Sequence, residues 1–555
     1  MQVSLILFES VLVFYDLKNN KKCLMKACKS YLREEKILSV SLIDIKIGNI
    51  DAKNEILTFD SFSKDGKSSF SNSFYTIDQM FIDSFVEGHS YFVTGLKGSG
   101  KTSILRYIDS IVSKNNHCVE YVLFKSDVKE EDREQFSKNS IAIVGDGEFA
   151  TGNDYESVIN IFLHRIICAA AVKNRIFKDN DEFKKYQKLL RLEGEGEFSA
   201  IRRFLPRLSK GTLKLAAGVS FIKAEFGAEF EGRAVSEASV PVNYLTGKVQ
   251  EVFESLKVDS KRKIYILIDE LEAAFRNTVQ YKRDCCIIRD FIVEIDRINR
   301  TSRCNNLNVV VLACLRTEVI RSIDAAGKEI NKMVFDFGHQ ISWHDKGGGK
   351  RHPLISLICK KIRAAYQLAD RGRECSGDDE DILLQFFPPT VNDIEIERYL
   401  LNNSWYRPRD LVRMLMLIQK KYPKSTSFQA TAFEGIRKDY SRESWEEITE
   451  ELLAGYSKGA IVGVREVLLG FRPYFSVADF EKRCNTKKNE SKNVAELIGK
   501  HTPLDVLKDL YRVGAIGNSF CSTKKGFAFR GDDDFVDNAE VMVHYALRRE
   551  LSIES

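Results

Sequence analysis

Residues 95–102 read Gly-Leu-Lys-Gly-Ser-Gly-Lys-Thr. The spacing G-x-x-x-x-G-K-[ST] is complete, follows a short apolar run and opens a stretch with Ile, Leu and Tyr at helical spacing. The chemistry implied is the binding of a nucleoside triphosphate. Glycines let backbone N–H groups face phosphate oxygens, and the helix N-terminus adds positive potential. Expected contacts are Gly95, Leu96, Lys97, Gly98, Ser99, Gly100, Lys101, Thr102 and Ser103, with Lys101 reaching the β and γ phosphates and Thr102 holding Mg²⁺. The expected cofactors are ATP and Mg²⁺.

A second constellation stands at 261–275, KRKIYILIDELEAAF, where an apolar run leads into Asp269 and Glu270. Read as a Walker B strand, it makes Asp269 a Mg²⁺ carboxylate and Glu270 the base that polarises the attacking water. The competing reading is an acidic helix start, since carboxylates favour that end. The apolar segment NVVVLACLR (308–316) ends on Arg316, where open α/β sheets place ligands. Arg316 is expected to sense the γ-phosphate; the plain alternative is a surface cation. In SWYRPRDLVRMLMLIQKK (404–421), Arg407 and Arg409 flank Pro408 near a helix start and form a second sensor candidate, against a capped basic surface helix.

These residues need a scaffold. The order strand, phosphate loop, helix, strand (VEYVLFKSD, about 119–127), Walker B strand and sensor strand predicts a parallel sheet with helices on both faces. A further strand is expected at 339–345, HQISWHD. The Glu after the Walker B Asp points to ATPases with an extra strand between the two Walker strands. A long helical region is expected over 153–193, and residues 210–232 alternate like hairpin strands. The interval from Lys101 to Asp269 exceeds what a few crossovers need, so an inserted module is expected at about 130–258. At 555 residues the chain calls for several domains. The expected division is 1–88, an N-terminal segment; 89–345, the ATPase; 346–450, a helical lid; and 451–555, a winged-helix-like domain.

Bulk properties narrow the classes. A net charge of +5 is too weak to argue for nucleic acid unless local patches do so. Twelve scattered cysteines without a C-x-x-C pair argue against a zinc cage and for a reduced, cytoplasmic setting. The opening MQVSLILFESVLVFY lacks a basic flank and is interrupted by Glu9, so neither a signal peptide nor a membrane span is expected. At 503–531, an amphipathic helix, a glycine and a hairpin-like SFCSTKKGFAFRG suggest a winged helix with Lys524 and Lys525 at the wing tip. Two readings stay open there: contact with DNA, or a wing packed on the ATPase, favoured by the neighbouring acids Asp532–Asp534.

Several motifs together resemble a family of bacterial P-loop ATPases related to origin-recognition-type AAA+ and STAND ATPases. They are IGNIDAKNEI (47–56), GLKGSGKTS, IDELE, LRTEVIRSI, ISWHD, WYRPRDLVRML, GFAFRGDDDF and VHYALRREL. The resemblance spans most of residues 45–550 as short motifs separated by private sequence. It implies a sheet domain, a helical lid carrying RPRDL, a C-terminal winged helix, and association with mobile elements and defence against phage. One departure is Asp269-Glu270, where the family often has two aspartates; the glutamate favours hydrolysis. No arginine occurs between Arg321 and Arg351, where ring-forming AAA+ ATPases usually carry a trans-acting finger.

The preferred expectation is an ATP-hydrolysing switch whose nucleotide state controls homo-oligomer assembly or a partner effector. The rival is a DNA-binding, origin-recognition-like ATPase that loads or remodels on duplex. No L-S-G-G-Q-like segment supports a transporter ATPase.

Overall fold

In the computed structural model the described residues are 66–128, 155–190, 239–273, 278–324, 330–344, 351–369 and 377–553, apart from the single positions 77, 454, 522, 523 and 533, together with 41–45, 47, 48, 130, 131, 133, 204, 208, 209 and 212–214. Residues 49–56 of the IGNIDAKNEI motif, most of 210–232 and residues 345–350 lie outside them.

Five strands make a parallel sheet: β1 (Phe92–Gly95), β2 (Cys118–Leu123), β3 (Ile264–Leu271), β4 (Val309–Arg316) and β5 (Gly338–Gln340). Their order across the sheet is β5-β1-β4-β3-β2, so the strand ending in Arg316 runs between the loop strand and the Asp269 strand. The near-continuous Val, Ile and Leu of β3 and β4 are buried, as expected for strands covered by helices on both faces. Registers Gly95↔Arg316 and Leu123↔Asp269 bring the chemistry-bearing residues to one edge, at the strand C-terminal ends. Among the described residues no helix is long and apolar enough to cross a membrane.

Helices α1 (Gly66–Ser73) and α2 (Gln79–Glu87) precede β1, and α3 (Lys101–Lys114) follows it. The expected strand at 119–127 stops at Leu123. There the chain turns into α4 (Phe124–Asp127), because the Asp127 carboxylate accepts the Leu123 N–H at 2.9 Å and Phe124 is buried edge-on to Phe291 at 4.9 Å. The helical region expected at 153–193 is two helices: α5 (Glu156–Asn174) and a second at Asp181–Leu190. Arg175, at φ 50°, ends the first, and Phe177 bridges to Val258. Strand β5 is shorter than the expected 339–345, because Trp343 turns aside to donate its indole N–H to Ser99 O at 2.8 Å. Of the expected hairpin region 210–232 only Thr212–Lys214 is described, and it pairs antiparallel with two strands outside that region, Leu208–Ser209 and Ser239–Pro241.

Helix α5 is buried nearly all round and packs against α6 (Thr278–Asn305). Glu294 on α6 is fully buried, accepts from Asn160 Nδ2 at 2.8 Å and pairs with Arg297. Burial pushes its carboxyl up to about 7, while Arg297 and Asn160 work the other way. Between the ordinary carboxylate value and about 7, the folded state holds a proton that the unfolded state has lost. Stability therefore falls as pH rises through that window and levels off above it. Glu294→Gln should remove that decline, worth up to about 3 kcal/mol, measured as denaturant midpoints at pH 5 and pH 8.

Later helices include α7 (Pro353–Ala369), α8 (Pro408–Lys421) and α9 (Ala430–Leu452), with short helices at Thr317–Asp324, Ile330–Phe337, Asp379–Phe386 and Ile396–Asn402 before and between them. The final part carries α10 (Lys458–Leu468), α11 (Val477–Lys488), α12 (Lys492–Lys500) and α13 (Pro503–Arg512). It also forms an antiparallel sheet of β6 (Tyr474–Phe475), β7 (Ile516–Ser519), β8 (Lys525–Gly526) and β9 (Glu540–Val543), in the order β6-β9-β7-β8. Trp405 joins this part to the start of α8: its ring stacks on His544 at 4.1 Å, and its indole N–H reaches Gly514 O at 2.8 Å.

Candidate nucleotide site

The loop between β1 and α3 turns on Gly95, Gly98 and Gly100, all at positive φ. At Gly98 a side chain is disfavoured by φ 80° and would be tight in space, since a Cβ would lie 3.3 Å from Arg409 Cβ. Arg407 and Arg409 therefore rest close to the loop tip, although Gly98 and Arg409 are far apart in sequence. Among the described residues, Ser99 Oγ is buried with no hydrogen-bond partner, and so is Arg407 Nε. Buried donors of this kind normally have an acceptor, so phosphate oxygens fit here.

Lys101 Nζ donates to Gly95 O at 2.9 Å and Leu96 O at 2.8 Å, which aims the ammonium along the loop. Burial, and then the neighbouring Arg316, lower its pKa to about 8. Asp269 is 4 % exposed and accepts from the Glu270 N–H at 2.8 Å, from Tyr121 Oη at 3.3 Å and from the Thr102 hydroxyl. Burial raises its pKa, against these hydrogen bonds and Lys101. Thr102 and Asp269 are thus paired, and they are the residues that would hold Mg²⁺, which when bound neutralises phosphate oxygens.

Glu270 sits at φ 59° where the β3–β4 register shifts between Ile268 and Leu271. A left-handed glutamate in a strand costs on the order of 1–3 kcal/mol, and such bulges re-aim side chains beside active sites. Its carboxylate accepts from Ser126 N at 2.9 Å and from Ser126 Oγ, both on α4. Arg316 pairs with Glu272, which also binds Lys125 Nζ at 3.2 Å. Burial opposes the Glu272 carboxylate, but Arg316 and Lys125 outweigh it and its pKa is lowered. Consecutive residues of α4, Lys125 and Ser126, therefore hold both acids flanking Leu271.

Sequence reasoning did not find Ser126, nor the cavity beside the loop. That cavity, of about 690 Å³, is walled by Phe70, Phe74, Tyr75, Trp343 and Leu357 and reaches Ser99, Gly100 and Ser103. Its polar lining includes Asp78, His339 and Lys361. An apolar, aromatic chamber with a few polar groups, opening onto a phosphate loop, suits a nucleobase and its sugar. The available signal was the aromatic run FSNSFY (70–75) just upstream of β1. Arg407 and Arg409, expected at the nucleotide, face acids of α9: Glu451 at 3.5 Å and Glu447 at 3.5 Å. At the expected wing tip, Lys525 Nζ instead turns to Tyr474 Oη at 3.2 Å and to Tyr545 Oη, while Lys524 lies over the Phe520 ring.

Residues 352–449, which include α7, α8 and most of α9, match the family described as the FunZ-associated C-terminal helical domain. No curated protein matches the chain. Among solved structures, the chain is similar to the Orc1 protein of Aeropyrum pernix, determined in complex with DNA. The match has 10 % identity, covers 88 % of this chain and 96 % of that chain, and has a TM-score of 0.33.

Proposed function

We propose that the chain binds ATP with Mg²⁺ between the sheet edge and the α7–α9 helices, and hydrolyses it as a switch. One observation carries this reading. Lys101, Thr102, Asp269, Glu270 and Arg316 converge at one sheet edge, under lid arginines that touch Gly98, beside buried donors with no acceptor. In the roles proposed, Lys101 holds the β and γ phosphates and Glu270, released from Ser126, orients the attacking water. Arg316, Arg407 and Arg409 register the γ-phosphate. The output is assembly of a homo-oligomer or control of a partner effector, with antiphage defence the setting that the motif resemblance implies. The decisive experiment is sizing and ATPase measurement of the purified protein with ATP, with ADP and with added duplex DNA. Nucleotide-dependent assembly and turnover without DNA support the switch; no nucleotide binding would sink it.

A second reading, action on duplex DNA, draws on the C-terminal part. Its helices followed by the small antiparallel sheet have the makings of a winged helix. The inward turn of Lys525 weakens this reading, and strong stimulation of the ATPase by DNA would restore it.

Arg316→Ala should bind ADP as the wild type does, yet no longer distinguish ATP from ADP. A γ-phosphate contact exists in only one nucleotide state, and only differential contacts shift an equilibrium. Limited proteolysis in the two nucleotides checks this: a pattern that still changes with ATP as in the wild type removes Arg316 from the sensor role.

A further inference from the structure

Helix α9 ends with three carboxylates on one face, Glu447, Glu450 and Glu451, at i, i+3 and i+4 spacing. Acids are disfavoured at a helix C-terminus, where the dipole is negative. Here cations from two other segments hold them. Lys97 of the phosphate loop pairs with Glu450 at 2.9 Å, Arg407 with Glu451 at 3.5 Å, and Arg409 with Glu447 at 3.5 Å. Arg413 adds a closer contact to Glu447, at 2.9 Å.

The Arg407–Glu451 pair is the telling one. Arg407 is buried and Glu451 is only slightly exposed, yet among the described residues Arg407 Nε and Glu451 Oε1 each lack a hydrogen-bond partner. A permanent buried ion pair normally satisfies its remaining donors and acceptors, because desolvating the charges is otherwise not recovered. This pair leaves capacity unused on both sides, directly over Gly98 of the loop. Lys97, Arg407 and Arg409 are also residues assigned to the phosphates, so the same donors face two sets of anionic oxygens.

We propose, building on the nucleotide reading above, that Glu447, Glu450 and Glu451 are internal substitutes for the polyphosphate: they hold the loop lysine and the lid arginines in the nucleotide-free protein and give them up to ATP. The carboxylates keep the lid docked when no nucleotide is present and set a threshold for ATP entry. Exchange of the cations from α9 to phosphate frees the acidic end of α9, a helix whose middle touches the C-terminal part, where Ser441 Oγ accepts the Glu550 N–H at 2.8 Å. Loss of the α9 contacts is thus the change that carries nucleotide state toward the C-terminal part.

The test compares full-length wild type with Glu451→Gln, Glu450→Gln and the control Glu446→Gln, whose side chain is exposed on the same helix. ATP and adenosine are titrated by calorimetry, with melting temperatures recorded for each. Competition predicts that Glu451→Gln binds ATP about tenfold tighter, within the usual range of coupling between sites, and Glu450→Gln, whose pair is screened by solvent, about two- to fivefold tighter. Adenosine, which has no phosphates, should bind unchanged, and Glu446→Gln should match the wild type. Glu451→Gln without nucleotide should melt lower, since Arg407 loses its counter-charge, and should recover more on adding ATP. Glu450 is largely exposed, so its variant keeps the test alive should Glu451→Gln fail to fold. Wild type that binds ATP alongside variants with equal or weaker affinity would overturn the inference and leave the nucleotide reading intact. Wild type that binds no ATP would overturn both.

Discussion

Lys101→Ala is expected to weaken ATP binding by roughly 10²–10³-fold, the usual loss when one partner of a buried charge pair is truncated. The cation is partly buried and held by Gly95 O and Leu96 O, which fixes its direction. Burial and Arg316 lower its pKa to about 8. An anion beside the ammonium would work against both effects, and the alanine variant offers it no cation. Fold and ligand effects separate readily: Lys101→Met, which keeps most of the side-chain volume, should melt near the wild type and still fail to bind. Calorimetric titration with ATP and Mg²⁺ checks both variants, and wild-type affinity in either would remove Lys101 from the phosphate role.

Glu270→Gln is expected to keep ATP binding and lose turnover by about 10²–10⁴, the range for removing a positioned base. Binding survives because the phosphate contacts proposed for Lys101 and Thr102 are untouched, and glutamine can still accept from Ser126. Turnover fails because the amide cannot take a proton from water. The bulged backbone at Glu270 is independent of this substitution, so the variant isolates the side chain. Single-turnover hydrolysis with bound ATP is the measurement, and hydrolysis at the wild-type rate would assign the base elsewhere. The Ser126 contact adds a corollary to the same assay. If α4 restrains Glu270 in the resting protein, whatever displaces α4 accelerates hydrolysis without touching the nucleotide.

Local spacing accounts for what could be read without a structure. The glycines of the loop, Lys101 and Thr102 sit within eight positions, and the apolar runs before Asp269 and Arg316 are continuous because strands covered on both faces must be. Those segments therefore declared a parallel sheet with its polar residues at the strand ends, and β1, β3 and β4 lie side by side with Gly95 opposite Arg316.

Segment ends were read less well, because a few local hydrogen bonds decide them. Asp127 capturing the Leu123 N–H turned the tail of a predicted strand into α4, and that turn is what delivers Ser126 to Glu270. Trp343 leaving β5 for Ser99 O likewise shortened a strand and closed one wall of the cavity.

The amino-acid sequence by itself marked the candidate phosphate residues, because that chemistry needs glycines, a lysine and a hydroxyl at fixed short spacing. Only the tertiary structure decided which groups stand beside them. Arg407 and Arg409 could have faced solvent; packing of α8 against α9 sets them between Gly98 and the carboxylates of Glu447 and Glu451. Phe70, Phe74 and Tyr75 could have been ordinary core, but Trp343 and Leu357, from distant segments, leave a chamber between them. Charge partners and cavities arise from long-range packing, where each contact depends on how every intervening element folds, and no spacing rule in one chain encodes that.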